Sequence, residues 1–299
     1  MKGSYHQPVM VGECLEGLNI RPDGIYVDAT FGGGGHARAI LSSLGNGRLF
    51  AFDQDRDAIS NLADDPRLTF VHQNFSQIAP YLKLHKASLI DGLLADLGIS
   101  SHQIDTPDRG FSTRFEGPLD MRMNQQAALT AESVVNTYET ARLAEIFIQY
   151  GELPNARALA GGIATRREAS RIKTTGELVA IAETFVRGQR EKYLARVFQA
   201  LRIEVNRELE MLRELLLQSA ELLRQGGRLV ILTYHSLEDR LVKNFVRRGG
   251  FTDRVETDEF GNPRRLFREI NRKPIRPSAG ETRRNPRARS AKLRIAERL

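Results

Sequence analysis

The sequence predicts an α/β protein built on a doubly wound, mostly parallel sheet, with a mainly helical subdomain inserted into it. Short apolar, β-branched runs recur every twenty-odd residues through the first hundred positions, separated by helix-compatible segments or turn signals. Strands that alternate with helical crossovers pair in parallel. The first run leads directly into four consecutive glycines, Gly32 to Gly35. Over a hundred residues of helical pattern then separate the fourth run from the next, far more than an ordinary crossover needs.

Taken in order, the runs are "GIYVDAT" (24–30), "RLFAFD" (48–53), "LTFVHQ" (68–73), "IDGLLADL" (90–97) and "GGRLVILTYH" (226–235). Ligands of such sheets sit outside the carboxyl ends of the strands. The residues to weigh are therefore Asp28 with the glycines, Asp53, Asn74 with Phe75, and Asp96. The last helix of the insert is marked by Val197, Leu201, Val205, Leu209, Leu212, Leu216, Ala220 and Leu223, advancing by three or four until Gly226 and Gly227 end it. A stripe at that spacing is core. The insert opens with "RGFSTRFEGPLDMRM" (109–123), polar and poorly periodic, which reads as a functional loop over the cleft. The expected division is 1–108 and 206–299 for the sheet domain and 109–205 for the insert.

Composition narrows the class. A chain of 299 residues with 41% hydrophobic content can bury one or two cores. The start, "MKGSYHQPVM", has no apolar stretch of signal-peptide length, and no run of about 18 apolar residues occurs, so a cytoplasmic location without a membrane partner is expected. Cys14 is the only cysteine, which excludes an intrachain disulfide and a thiolate zinc cluster. No metal is expected, and Cys14 reads as a small buried hydrophobe. The formal net charge is +7, and residues 241–299 hold 17 Lys and Arg against 7 Asp and Glu, leaving 27 against 30 in the rest. "NPRARSAKLR" (285–294) sets a cation at nearly every second position, a composition suited to phosphates. A solvated or disordered basic tail is the alternative.

The glycines can serve several ligands. A P-loop needs Gly-Lys-Ser/Thr, whereas this run continues into His36, Ala37 and Arg38, which argues against a nucleoside triphosphate. The dinucleotide fingerprint falls on Gly32, Gly34 and Ala37 only by forcing. Asp53, at the end of the second run, stands where an acid accepts hydrogen bonds from ribose hydroxyls, an arrangement shared by nicotinamide enzymes and S-adenosylmethionine methyltransferases. The fourth run separates the two. "LLADLGISS" places an acid and then small polar residues where methyltransferases hold the sulfonium and the acceptor. Asn74 and Phe75 suit an adenine, one with an amide and one with a ring, while Phe75 as plain core is the alternative. On this reading the glycines let the chain pass close to the methionine and ribose of S-adenosylmethionine, and the fold is a Rossmann-like methyltransferase sheet.

The chain closely resembles the bacterial family of S-adenosylmethionine-dependent methyltransferases that methylate N4 of a cytosine in the decoding region of small-subunit (16S) ribosomal RNA. The segments that carry the resemblance are "HQPVM" (6–10), "DATFGGGGH" (28–36), "DGLLADLGISSHQID" (91–105), "RGF" with "GPLDMRM" (109–123), "FQALRIEVNREL" (198–209), "GGRLVILTYHSLEDRLVKNF" (226–245) and "NPRARSAKLR" (285–294). The resemblance implies cofactor contacts from Gly34, Gly35, His36, Asp53, Phe75, Asp96 and Gln103. It implies small-subunit ribosomal RNA as partner, within the ribosomal subunit, and leaves monomer or homodimer open. Ala37 stands where the family usually has serine, and Thr233-Tyr234 where it more often reads Ser-Phe.

The acceptor sets the chemistry. The lone pair of the exocyclic cytosine nitrogen is delocalised into the ring, so the enzyme must supply geometry and an acceptor for the amino protons. Asp96 and the backbone of "DLGISS" are the best candidates, and the base must leave its stack. His235 ends the fifth run on the same sheet edge. It either lines that pocket as a second catalytic candidate or is a hydrogen-bonded structural histidine. The "SLED" that follows reads as a helix cap with Ser236 at the N-cap and Asp239 three residues on. Asp120 and Arg122 either contact RNA or pair with each other. Two rival classes remain, a nicotinamide oxidoreductase and a ribosome-assembly factor that binds RNA and transfers nothing.

Overall fold

The computed structural model describes residues 8–252, 254, 257 and 265–299, so His6 and Gln7 of "HQPVM" lie outside the described residues. The chain forms two compact units, one of the residues up to Gly98 with Leu209–Leu299 and the other of Ile99–Glu208. The breaks thus fall at 98/99 and 208/209, where the sequence suggested 108/109 and 205/206. Among the described residues, no helix is long and apolar enough to cross a membrane.

Among the described residues, the first unit holds a seven-stranded sheet. Its strands are β1 (Ile25–Asp28), β2 (Arg48–Asp53), β3 (Leu68–His72), β4 (Ile90–Asp96), β5 (Leu223–Thr233), β6 (Phe267–Glu269) and β7 (Lys292–Arg298). Their order is β3-β2-β1-β4-β5-β7-β6. Strands β1 to β5 pair in parallel, and β7 runs antiparallel between β5 and β6. Every residue of β4 except Asp96 is buried, as expected for a parallel strand covered on both faces. The order proceeds outward from β1 to β3 and then resumes at β4 on the other side of β1. That reversal opens a crevice at the carboxyl ends of β1 and β4.

Helices α1 (Val11–Leu18), α2 (Gly35–Ser43) and α3 (Ile78–Leu84) belong to this unit. Helix α2 buries Ala37, Ile40 and Leu41 in a core shared with Phe31, Leu49, Leu94 and Val230. Side chains of this size each contribute roughly 1.5–3 kcal/mol when fully buried.

The second unit is helical: α4 (Ser101–Asp105), α5 (Ala131–Thr137), α6 (Thr140–Gln149), α7 (Ala156–Ala169), α8 (Thr175–Glu183) and α9 (Arg190–Asn206). Leu143, Phe147, Leu159, Ile163, Val197 and Leu201 are part of its own core. The stretch 109–123 is held from within. Buried Arg109 donates to the carbonyls of Arg122 at 2.9 Å and Met123 at 3.2 Å. Asp120 and Arg122 pair with each other through two bonds of 2.9 and 2.7 Å, and Arg122 also reaches the carbonyls of Gln125 and Ala127.

Two helix expectations are corrected. The stripe from Val197 to Leu223 is carried by two helices, α9 and α10 (Glu208–Leu222), with a left-handed break at Arg207 (φ 51°). The Asn206 side chain accepts from Met123 N–H and donates to Met121 C=O, both at 2.7 Å, and a side chain bonding backbone elsewhere favours termination. Helix α10 ends before the glycines because Leu223 already pairs with Ile90. A register shift between Ile90 and Gly92 then leaves Gly226 (φ 77°) and Gly227 in a bulge.

The end of the basic stretch is ordered, which sets aside the alternative of a solvated or disordered tail there. Helix α11 (Ser236–Arg248) is followed by α12 (Ala279–Arg284), a 3-10 turn at Pro286–Ser290 and then β7. Lys292–Arg298 is thus a strand within the sheet, and Arg294 is buried against Asp239 at 2.6 Å. Neighbouring apolar residues Leu293, Ile295 and Ala296 supply the burial that orders it.

Candidate active site

Asp53, Asp28 and Asp96 end β2, β1 and β4, and these strands are neighbours in the sheet. Three carboxylates therefore line one sheet edge. Asp28 is 1% exposed. Its Oδ1 accepts the Thr30 N–H at 3.1 Å, and its Oδ2 has no hydrogen-bond partner among the described residues. Burial, with Asp96 adding to it, pushes its pKa up to about 6 against the opposing pull of His36 and the Thr30 bond. Asp53 is also pushed up to about 6 by burial, against bonds from the Asp55 and Gly32 amides at 2.8 and 2.7 Å. Asp53 therefore holds the glycine turn in addition to facing the edge where a ribose would lie. Each oxygen keeps a lone pair for that purpose.

The turn itself needs glycine. Gly32 and Gly34 have φ of 50° and 70°, a region open to glycine at no steric cost. A Cβ on Gly34 would stand 2.8 Å from the Phe31 ring, and one on Gly35, the first residue of α2, 2.6 Å from Pro8. At Gly32 the nearest atom to such a Cβ is the Thr30 carbonyl at 3.9 Å, so this side of the turn is open. His36 is buried, its Nε2 on the Val9 carbonyl at 2.9 Å and its Nδ1 3.8 Å from Asp96 Oδ2.

Asp96 is held through both its backbone and its side chain. Its backbone N–H donates to Thr30 Oγ1 at 2.7 Å, and its Oδ1 accepts the Tyr234 hydroxyl at 2.6 Å. Burial, followed by the charge of Asp96, pushes the Tyr234 pKa well above its usual value, so the phenol stays protonated and donates. Sequence reasoning singled out neither Thr30 nor Tyr234 for the site. It weighed Asp28 only as a strand end. The departure at Tyr234 was the available signal.

The cap beyond β5 lies one residue earlier than "SLED" suggests. His235 is the N-cap of α11 and Glu238 its third residue. The Glu238 carboxylate accepts the Tyr234 and His235 amides at 2.8 and 3.3 Å, while His235 Nδ1 accepts the Glu238 amide at 3.4 Å. His235 Nε2 stands 3.1 Å from Glu238 Oε1. These contacts fit the structural reading of His235 and do not test the catalytic one; its buried Nε2 makes no hydrogen bond among the described residues. Asp239 instead binds Lys292 and Arg294, at 3.1 and 2.6 Å.

Asn74 and Phe75 follow β3. The Asn74 amide caps the Ser76 N–H at 2.9 Å and donates to Gln54 at 3.0 Å, so it is engaged in the local turn. Phe75 is half-buried. Gln103 lies in the second unit. There it is buried and forms a capping box with Ser100, accepting the Ser100 amide at 3.0 Å. The signal was the Ser-x-x-Gln pattern of "SSHQ". Cys14 is buried, and burial pushes its thiol well above the usual range.

The residues of this edge suit S-adenosylmethionine. Carboxylates attract a sulfonium cation and accept from ribose hydroxyls, the Gly32 side is open, and buried Asp28 keeps an oxygen without a hydrogen-bond partner among the described residues. A P-loop lysine is missing from the turn.

Comparison with known proteins gives the same direction. The model of the MraW methylase family matches residues 3–299. A protein of Bacteroides thetaiotaomicron named ribosomal RNA small subunit methyltransferase H is 55% identical over 296 residues, covering 98% of this chain and 97% of its own. One of the same name from Cytophaga hutchinsonii is 53% identical over 297 residues, covering 98% and 99%. Among solved structures, an rRNA methylase from Streptococcus thermophilus aligns over 97% of this chain and 93% of its own with 12% identity and a TM-score of 0.42.

Proposed function

The chain belongs to the MraW methylase family, and from that premise we propose that it methylates N4 of a cytosine in the decoding region of small-subunit (16S) ribosomal RNA. The observation that supports this reading best is the run of three carboxylates around an open glycine turn. S-adenosylmethionine, when bound, supplies an electrophilic methyl group on a positively charged sulfur. Asp53 would hold the ribose, and Gly34, Gly35 and His36 the turn that the methionine portion passes. Phe75 would flank the adenine.

Asp96 does the remaining work of the site. Its carboxylate accepts a hydrogen bond from the exocyclic amino group, which favours the positive charge that develops on N4 as the nitrogen becomes pyramidal. The N4–H electron pair stays with nitrogen when the proton leaves to that carboxylate. On this reading His235 caps α11 through the Glu238 amide, and the Glu238 carboxylate holds the backbone N–H of Tyr234. The exposed arginines near the C-terminus supply sequence-independent attraction to phosphates. The small ribosomal subunit, in the bacterial cytoplasm, is the proposed setting.

Nucleoside mass spectrometry of 16S RNA from cells with and without the gene tests the reaction. N4-methylated cytosine should disappear without the gene, and its persistence overturns the assignment. Supplying the purified protein with naked 16S RNA or with unmethylated small subunits then identifies the substrate. Faster transfer to the naked RNA would remove the subunit from the proposal.

A further inference from the structure

Tyr234 reaches Asp96 across 138 positions of chain, its hydroxyl donating to Oδ1 at 2.6 Å. The two residues stand at the carboxyl ends of neighbouring strands, since Asp96 lies opposite Leu232 in the β4–β5 pairing. The phenol is held from several directions. Its backbone N–H donates to the Glu238 carboxylate at 2.8 Å. Its ring covers the turn after Asp96, where a Cβ on Gly98 would stand 3.4 Å from Tyr234 Cδ2. Gly98, at φ 97°, takes the left-handed conformation that lets the chain turn beneath that ring.

An ionised carboxylate only accepts, and a short bond to it from a hydroxyl is among the stronger hydrogen bonds in proteins. The bond to Oδ1 restrains rotation of the Asp96 carboxylate. Oδ2 stays on the side of His36 Nδ1, 3.8 Å away. The Thr30 hydroxyl holds the Asp96 backbone at the same time. A carboxylate left to rotate would present an oxygen in the required direction for only part of the time, and small errors of direction are costly in a transfer that depends on alignment.

We propose that Tyr234 is a positioning residue for the methyl transfer, its hydroxyl locking the Asp96 carboxylate so that Oδ2 is presented to the acceptor nitrogen. The proposal rests on the reading of Asp96 as the acceptor of the N4 proton. It does not require Tyr234 to touch either substrate.

The test is a cycle of Tyr234→Phe, Asp96→Asn and the double variant, in single-turnover transfer from labelled S-adenosylmethionine to unmethylated small subunits, both at saturation. Rates are divided by the calorimetric fraction of each preparation that binds S-adenosylmethionine, so partial unfolding does not register as lost positioning. Tyr234→Phe should slow transfer roughly tenfold, the scale of one hydrogen bond to a charged group, with cofactor affinity and the KM for the subunit within about twofold. In the Asp96→Asn background the same change should cost nothing further, because the carboxylate that the hydroxyl positions is already gone. A Tyr234→Phe enzyme with a normal rate, or one whose loss simply adds to that of Asp96→Asn, overturns the positioning role and leaves Asp96 in place. A normal rate for Asp96→Asn alone removes the underlying reading of Asp96, and the role of Tyr234 falls with it.

Discussion

Glu281 accepts the backbone N–H of Met10 through Oε1 at 2.7 Å, across 271 positions of chain. Met10 is left-handed (φ 52°), and the carbonyl of its neighbour Val9 receives His36 Nε2 at 2.9 Å. One carboxylate thus ties α12, in the basic C-terminal segment, to the loop that holds a residue of the proposed cofactor site. Glu281→Ala should lower the stability of the protein by about 1–3 kcal/mol, since it leaves a part-buried amide without its acceptor, and should weaken S-adenosylmethionine severalfold. Glu281→Gln keeps an acceptor and most of both. Urea unfolding and calorimetric titration read the two effects, and an unchanged urea midpoint for the alanine variant contradicts the tie.

The arginines of the C-terminal segment should separate by burial. Arg283, Arg284 and Arg289 are exposed, whereas Arg294 is buried on Asp239. Changing the three exposed residues to glutamine should weaken RNA binding and flatten the slope of log affinity against log salt by about 2, at roughly 0.7 per single-stranded phosphate contact. Arg294→Gln should instead destabilise the fold by roughly 1.5–3 kcal/mol, because Asp239 loses one of its two cationic partners and keeps only Lys292. Equal salt slopes for wild type and the triple variant would move the RNA footprint elsewhere.

Asp53→Asn should cut S-adenosylmethionine affinity by about 10- to 100-fold, the range for losing a hydrogen bond to a charged acceptor. Asp53→Ala should add a stability loss of about 1 kcal/mol or more, since the Gly32 and Asp55 amides then lack an acceptor. Calorimetry that finds wild-type affinity in the asparagine variant would remove Asp53 from the cofactor site.

Asp28 and Asp53 are both raised from 3.8 to about 6. Between those values the unfolded chain gives up protons that the folded protein keeps, so stability should fall as pH rises from about 4 to 6 and level off above that. The cost is about 3 kcal/mol per group at roughly 1.4 kcal/mol for each unit. A sulfonium cation favours the ionised carboxylates, so S-adenosylmethionine should release protons on binding near pH 6 and bind more weakly below it. Asp28→Asn should flatten the stability profile. Unfolding midpoints at pH 4.5, 6 and 7.5 check this, and equal slopes for the variant and wild type would count against a buried, proton-holding Asp28.

Local patterns carried the parallel strands β1 to β5. Each is a short apolar run between turn signals, and an apolar run reports burial wherever the chain places it. The glycine turn was legible for the same reason, because left-handed positions such as Gly32 and Gly34 restrict the residue type locally. The Ser100–Gln103 box was equally local and lay in plain view. The cap at His235 was misplaced by one residue because Ser236 and Asp239 fit the pattern nearly as well as His235 and Glu238. Arg207 carries no local signal for a helix break, since the apolar stripe continues unbroken from Val205 to Leu209.

The sequence by itself determined the parallel α/β sheet, the helical insert, and the three strand-end carboxylates that the glycine turn accompanies. Only the tertiary structure decided what those groups touch. Tyr234 bonds Asp96, Glu281 bonds Met10, and Asp239 pairs with Lys292 and Arg294, and β7 enters between β5 and β6. These partners are separated by 53 to 271 positions. Which of them meet follows from strand order and register, and periodicity within one segment contains no information about either. The same cations in "SAKLR" read equally well as a solvated tail or as a strand until the neighbours of Leu293 and Ile295 bury them.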